Sequence, residues 1–118
     1  MDRAAFQERT EDFTVRVGVM VDALPTTTRG RTFGTQVLRA AGSIGANYCE
    51  SNHASSKRHF ISIMEIVQRE ADETMYRLRV ITRSNLLKPA RMGALTKECD
   101  ELISILTKMI LTAKRRNG

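Results

Sequence analysis

Two pairs of polar residues have a spacing that could support chemistry. Asn47 and Glu50 are three positions apart, and Glu70 and Glu73 repeat that spacing, so each pair would share one face of a helix. Paired carboxylates near a histidine could act as general acid and base, or could bind iron as in di-iron helical bundles. An enzyme built on Glu50, Glu70 and Glu73 is therefore one hypothesis.

Arginines close to these carboxylates favour a structural explanation instead. Arg39, Arg69 and Arg77 would lie within one or two helical turns of the acidic residues, and buried charges are normally paired. We therefore predict a largely buried polar network. Its members would be Arg39, Asn47, Glu50, Arg69, Glu70, Glu73 and Arg77.

The sequence predicts no catalytic residues, no metal site and no cofactor. His53 and His59 flank a predicted helix start, and no Asp or Cys lies around them at ligand spacing. There is no Gly-rich phosphate loop and no Cys-x-x-Cys motif. Cys49 and Cys99 fall within predicted helices, where we expect buried, reduced thiols. A protein without enzymatic activity is the expectation.

Four amphipathic helices would position these residues. Apolar residues recur at steps of three and four, and no segment alternates with period two. The predicted helices span about residues 4–24, 33–51, 57–84 and 91–115 of a single domain, 1–118. The polar residues 26–32 would connect the first two helices, with Thr32 or a neighbour capping the second. Short connections predict the all-α fold class, as an antiparallel up-down-up-down four-helix bundle.

One apolar seam on each helix is the predicted core. The most regular seam, on the third helix, averages 3.5 residues per repeat, which is typical of coiled-coil-like packing. Small residues on the second helix would allow close packing against its neighbours. The four seams comprise Phe6, Phe13, Val17, Met20 and Leu24; Val37, Ala41, Ile44 and Tyr48; Phe60, Met64, Val67, Ala71, Thr74, Leu78 and Ile81; and Met92, Leu95, Cys99, Leu102, Leu106, Met109 and Ala113.

Further apolar residues widen these faces and indicate a subunit interface. They are Ile63, Ile66, Val80, Ile105 and Leu111. A homo-oligomer is therefore expected.

The positive charge is concentrated in the second part of the chain. Residues 1–50 hold six Lys/Arg and six Asp/Glu, while residues 51–118 hold thirteen and seven, so this part carries the whole net charge of +6. In an up-down bundle, the first and third connections meet at one end, which we expect to be basic and without an acidic counterweight. No apolar run reaches the ~20 residues of a membrane span, and the N-terminus lacks the order of a secretory signal, so a cytoplasmic protein is expected.

Basic residues at the bundle ends are the candidate nucleic-acid-binding residues, through phosphate contacts rather than base recognition. The first choice is the end with the first and third connections, and the second choice is the opposite end. The residues are Arg29, Arg31, Arg83, Lys88 and Arg91, followed by Lys114, Arg115 and Arg116. The alternative is a protein-interaction scaffold whose basic charge is incidental.

Two sequence blocks resemble a known family. Ser43-Ile44-Gly45-Ala46-Asn47-Tyr48 with Glu50, and Glu70-Ala71-Asp72-Glu73-Thr74 with Tyr76, joined by Ser56, Phe60 and Ile61, look like the bacterial S23-like proteins related to the 23S rRNA intervening-sequence protein. The resemblance implies a four-helix bundle that assembles as a ring, commonly a pentamer, with no catalytic residues. A more distant similarity, to the accessory variability protein of diversity-generating retroelements, implies RNA or DNA and a protein such as a reverse transcriptase as partners.

Overall fold

The computed structural model describes residues 2–116, which form an all-α fold without strands. Its four helices are α1 (Arg3–Asp22), α2 (Thr28–Glu50), α3 (Lys57–Arg83) and α4 (Pro89–Arg115). One 3₁₀ turn, Ser51–His53, follows α2. Each helix packs against its neighbours in the order α1, α2, α3, α4, and α4 also packs against α1. These contacts agree with an up-down-up-down bundle, which measures 51 × 21 × 21 Å.

Local hydrogen bonds determine where the helices begin. Asp2 accepts a hydrogen bond from the Ala5 N–H at 2.7 Å and thereby caps α1. The Ser56 hydroxyl caps α3 by accepting from the His59 N–H at 3.0 Å. Helix α4 begins with Pro89. Proline is favourable at this position because the N–H groups of the first turn have no acceptor within the helix, so no hydrogen bond is lost.

Helix α2 begins five residues earlier than the predicted Phe33. Thr27, not Thr32, is the cap, because its hydroxyl accepts from the Gly30 N–H at 3.1 Å and its carbonyl accepts from the Arg31 N–H at 2.9 Å. A Cβ on Gly30 would lie 1.9 Å from the Pro25 carbonyl oxygen. Glycine is therefore needed here for a close approach within a helix, whereas the sequence analysis interpreted it as part of a connection.

The predicted seams form the core. Nearly all their residues are buried, and only Phe60, Met109 and Ala113 are half-exposed. Thr74 is fully buried, and its hydroxyl donates to the Glu70 carbonyl at 2.8 Å. This bond satisfies the one polar side chain in the α3 seam.

Small residues bring α1 and α2 close together, as the sequence predicts. A Cβ on Gly45 would lie only 2.7 Å from the Thr10 hydroxyl oxygen. Farther along, the Thr14 hydroxyl donates across the interface to the Ala41 carbonyl at 3.3 Å. Side chains larger than these would hold the two helices apart.

The two cysteines have different environments. Cys99 is fully buried, its thiol contacts the Ala71 carbonyl at 3.5 Å, and burial raises its pKa to about 12. Cys49 is exposed, so its predicted burial is wrong. The residue lies on the part of α2 that points away from the seam through Ile44 and Tyr48.

The most exposed aliphatic side chains lie on α1, whereas the sequence predicts an interface on α3 and α4. Of the five expected interface residues, only Leu111 is largely exposed, at 46%, while the others are half-buried. The most exposed large aliphatic side chains in residues 2–116 are Val15 at 67% and Val19 at 60%, one turn apart on α1. Leu38 on α2, at 37%, lies nearby, 3.9 Å from the Cβ position of Gly18.

None of the helices in residues 2–116 is long and apolar enough to cross a membrane.

Candidate nucleic-acid interface

The first and third connections lie at the same end of the bundle, here called the joint end. A groove between α1 and α4 is lined by Val15 and Val19 on one side and by Arg91 and Leu95 on the other. The second half of α1 therefore lies beside the start of α4. Since α1 and α4 run in opposite directions, the connections α1–α2 and α3–α4 meet at this end.

Five predicted binding residues are located at the joint end, and all five are exposed. Arg29 and Arg31 lie in the first turn of α2, and Arg83 is the last residue of α3. Lys88 is the N-cap of α4 and Arg91 lies in its first turn. Two helix N-termini and two helix C-termini lie at this end, so the helix dipoles largely offset one another and the side-chain cations determine its charge.

These cations are largely free of acidic partners. Arg31 donates to the Thr26 carbonyl at 3.0 Å. Among residues 2–116, no side-chain acceptor or ion pair engages Arg29, Arg83, Lys88 or Arg91. They contrast with the arginines in the middle of the bundle, several of which form ion pairs.

One acidic residue does lie at the joint end, contrary to the sequence analysis. Asp22 is the last residue of α1 and lines a surface groove together with Arg31 and Arg39. The two connections themselves, residues 23–27 and 84–88, contain no acidic residue. The joint end therefore remains basic, but it has one carboxylate on the α1–α2 side.

The second set of predicted binding residues lies at the opposite end, here called the free end. Lys114 and Arg115 end α4, and Arg116 follows them. Lys114 forms an ion pair with Glu65 on α3, with its Nζ 3.2 Å from Oε2, and both side chains are about half exposed. Arg115 and Arg116 are exposed and have no ion-pair partner in the described part of the chain.

Four of the seven predicted polar-network residues come together at the surface between α2 and α3. Arg39 forms ion pairs with Glu70, at 3.2 Å, and with Glu73. Arg77 approaches Glu73 at 3.6 Å and donates to the Gln36 amide oxygen at 3.0 Å. The hydrogen bonds that Arg39 donates to Glu73 and Glu70 hold the pKa of Arg39 above its ordinary value.

This cluster is more exposed than predicted. The Arg39 side chain is 53% exposed, while Glu70 and Glu73 are 14% and 29% exposed. The helix seam was located correctly, but these residues lie at its edge, where long side chains reach water. The expectation of a largely buried network is therefore wrong.

The remaining three network residues do not join the cluster. Asn47 donates to the Ser43 carbonyl of its own helix at 2.8 Å. Glu50 and Arg69 are exposed and form no ion pair within residues 2–116. Their periodicity placed them on the right helices but did not determine which side of the seam they occupy.

A better-formed ion pair joins α1 and α4, and the sequence analysis missed it. Arg9 forms two hydrogen bonds to the Glu98 carboxylate, at 2.7 and 2.8 Å, and approaches Glu101 at 3.3 Å. Glu98 is only 13% exposed, and the hydrogen bonds from Arg9 lower its pKa. The three-residue spacing of Glu98 and Glu101 is the same signal that identified Glu70 and Glu73.

The acidic and histidine residues do not come together as a metal-binding group in the described chain. Glu50 and His53 do have Glu-x-x-His spacing, which the sequence analysis overlooked, but His53 lies in the 3₁₀ turn beyond α2 and both are exposed. Di-iron bundles require two such motifs and two further glutamates facing inward. Within residues 2–116, no group of three His, Cys, Asp or Glu side chains could hold a metal ion.

Comparison with known proteins identifies similarity over nearly the whole bundle. Residues 4–108 match the family described as 23S rRNA-intervening sequence protein. The fold is similar, with a TM-score of 0.85, to the crystal structure of a protein with unknown function from the S23 ribosomal protein family of Bacteroides thetaiotaomicron. The two chains are 26% identical over 93% of this chain and 98% of that chain. No curated protein matches.

Proposed function

Because the chain belongs to the 23S rRNA-intervening sequence protein family, as its sequence blocks predicted, we propose that it is a non-enzymatic protein that binds nucleic acid. In this proposal, the joint end contacts the phosphate backbone of RNA or DNA. The family description gives a link to an RNA-encoding locus, and the arrangement of charge supports a binding role for this chain.

The observation that carries the proposal is the set of exposed cations at the joint end. Arg29, Arg83, Lys88 and Arg91 come from three helices and one connection, and none has an acidic partner in the described chain. Unpaired cations can exchange their counterions for phosphates without first breaking an internal ion pair. Long, flexible cationic side chains of this kind contact phosphates, which position a nucleic acid without reading its sequence.

The proposal is tested by titrating fluorescently labelled RNA and DNA oligonucleotides with the protein at several salt concentrations. Binding should be tight at low salt, and the logarithm of the association constant should fall linearly with the logarithm of salt concentration. Binding that is absent at low salt, or that does not depend on salt, would contradict phosphate recognition.

A second candidate function, that of a protein-interaction scaffold, is favoured by the exposed aliphatic side chains of α1. Val15 and Val19 are one turn apart on the surface of α1, and Leu38 of α2 lies close to Gly18. Exposed aliphatic side chains of this kind are suited to protein contact, including contact with further copies of this chain. We propose that a homo-oligomer, with the pentamer implied by the family resemblance as its expected size, presents several joint ends to one nucleic acid.

A further inference from the structure

A cleft of about 550 Å³ opens at the free end of the bundle. It arises from the different lengths of α1 and α4. Arg9 pairs with Glu98 and Glu101, so in this antiparallel arrangement the start of α1 at Arg3 reaches only about six residues farther along α4. The last two turns of α4 consequently have α3 beside them but no α1, and the cleft occupies the missing position.

Aromatic and aliphatic side chains form the walls of the cleft. Phe60 from α3 and Ile105 and Met109 from α4 line it and are half-buried. Tyr48 closes the inner side and is only 2% exposed, with its ring packed edge-on against Phe6 at a centroid distance of 4.8 Å. The cleft is thus an apolar recess in a part of the molecule that is otherwise polar.

Three cations surround this apolar recess. Arg3, Lys108 and Arg116 line it, and no carboxylate does so among residues 2–116. Arg3 is held in place, since it donates to the Ser51 hydroxyl at 2.7 Å and its guanidinium lies 4.6 Å from the centre of the Tyr48 ring. Lys108 is exposed and has no ion-pair partner within the described residues.

We propose that this cleft accommodates one unstacked base of a single-stranded nucleic acid, with the adjoining phosphates held by Lys108 and Arg116. The inference rests on the proposed function and adds a preference for single strands over duplex. Proteins that bind single strands without sequence preference combine cationic grooves with aromatic side chains that contact bases. The cleft supplies both, whereas the two grooves at the joint end are lined, among the described residues, by cations and aliphatic side chains without an aromatic ring.

The cleft also predicts low base specificity. Among the described residues that line the cleft, Thr112 is the only polar side chain apart from the three cations and the Tyr48 hydroxyl, so there are few groups to read the edge of a base. A base in a duplex is paired and stacked and cannot enter without being extruded. Single-stranded RNA and DNA of any sequence should therefore bind through this end, and duplexes should not.

The first test compares a 12-nucleotide strand with the 12-base-pair duplex of the same sequence, by fluorescence anisotropy. A duplex of this length spans about 40 Å, less than the 51 Å length of the bundle, so it cannot contact both ends.

Phe60→Leu, which removes the ring but keeps an apolar side chain, should weaken single-strand binding roughly tenfold and leave duplex binding unchanged. Lys108→Ala should also weaken single-strand binding, whereas Lys97→Ala, an exposed control on the same helix, should not.

The second test locates the bound strand by NMR of methyl-labelled methionines. Addition of the 12-nucleotide strand should shift the methyl signal of Met109 in the cleft and leave that of Met92, buried near the joint end, unchanged. Equal binding of strand and duplex with Met109 unaffected would overturn the cleft proposal while phosphate binding at the joint end survives. No binding of either oligonucleotide at low salt would overturn both. A shift of Met109 by an acidic peptide, in protein that does not bind the strand, would identify the cleft as a peptide site and would also overturn the proposal.

Discussion

At the scale of single residues, the ion pair between Arg9 and Glu98 is the charge contact with the clearest expected effect on stability. Both carboxylate oxygens of Glu98 accept from the guanidinium, and the side chain is largely shielded from water. Its folded-state pKa is lowered from the ordinary value of 4.5. The pair therefore stabilises the fold above about pH 4.5, and this contribution is lost as the pH falls through the lower, folded-state pKa.

Glu98→Gln, which keeps the size of the side chain, should lower the free energy of unfolding by about 1 kcal/mol at neutral pH. Below the folded-state pKa the difference from the wild-type protein should disappear, because both side chains are then uncharged. Urea unfolding between pH 2.5 and pH 7 measures this difference. Glu101→Gln is the matched control and should have a smaller effect, since Glu101 is 53% exposed and contacts Arg9 at a longer distance. A difference that stays constant at all pH values would contradict the assigned ion pair.

The two thiols provide a second test at this scale. With an aromatic disulfide reagent at pH 8, Cys49 should react rapidly and Cys99 only on unfolding, because Cys99 is buried and its pKa is about 12. One thiol per chain should react rapidly in the native protein, and two thiols per chain should react in denaturant. Cys49→Ser should abolish the fast phase. Two fast equivalents, or a fast phase that survives in Cys49→Ser, would show that the core around Cys99 is open.

At the scale of helices, hydrophobic periodicity predicts which faces are buried but not every boundary. The seam from Met64 to Ile81 is buried along its whole length. Its apolar residues recur every 3.5 residues on average, and this spacing keeps one face of α3 against the same neighbouring helices over several turns. The start of α2 could not be predicted in this way, because it depends on the Thr27 cap and on the approach of Gly30 to Pro25. The network around Arg39 was misjudged for a related reason, since periodicity does not distinguish the centre of a buried face from its edge.

Substitution of two glycines by alanine should have opposite effects on stability. Gly45 lies in the close interface between α1 and α2, whereas Gly93 lies on an open surface of α4. Gly45→Ala should destabilise the protein by roughly 1–3 kcal/mol, because the new methyl group would meet the Thr10 hydroxyl at 2.7 Å in a buried interface. Gly93→Ala on α4 should stabilise it by roughly 0.5–1 kcal/mol, because no atom lies within 4 Å of its Cβ position and alanine favours the helix. Urea midpoints of the two variants measure both effects.

The double variant Gly45→Ala with Thr10→Ala separates the contact from other causes. Removing the Thr10 hydroxyl should recover part of the stability lost in Gly45→Ala, as expected of residues in direct contact. Purely additive losses would mean that the spacing of α1 and α2 at this point is not limited by Thr10.

At the scale of the whole molecule, the length of the bundle separates two chemically different ends. The joint end carries unpaired cations beside grooves that no aromatic side chain among the described residues lines, and the free end combines cations with a cleft lined by Phe60 and Tyr48. The up-down order of the helices and the clustering of basic residues followed from the sequence, because short connections place alternate helix ends together. The cleft could not be predicted, since it results from a difference in helix length that depends on the register of α1 against α4.

Self-association should involve the exposed face of α1. If this chain forms a homo-oligomer through that face, replacing Val15 and Val19 together with Glu should reduce the mass to that of a monomer without loss of helicity, because both side chains point to solvent in the single chain. Light scattering and circular dichroism measure the two properties. Replacing Leu111 with Glu is the control on the predicted α4 face. An oligomer that persists in the α1 variant and dissociates in the Leu111 variant would move the interface to α4.

The most direct test of phosphate binding at the joint end is the salt dependence of nucleic-acid affinity in two triple variants of equal charge. One replaces Arg83, Lys88 and Arg91 with Ala. The other replaces Arg58, Arg69 and Lys97, exposed cations outside the joint end that form no ion pair within residues 2–116.

Both variants should fold as the wild type does, which circular dichroism and urea unfolding check. The joint-end variant should bind the 12-base-pair duplex more weakly, and its log–log salt slope should be smaller in magnitude by about 2.7, if each lost cation had contacted one phosphate. The control variant should keep a slope close to that of the wild type. Equal losses of affinity and slope in the two variants would show that net charge alone drives binding, and would contradict a binding site at the joint end.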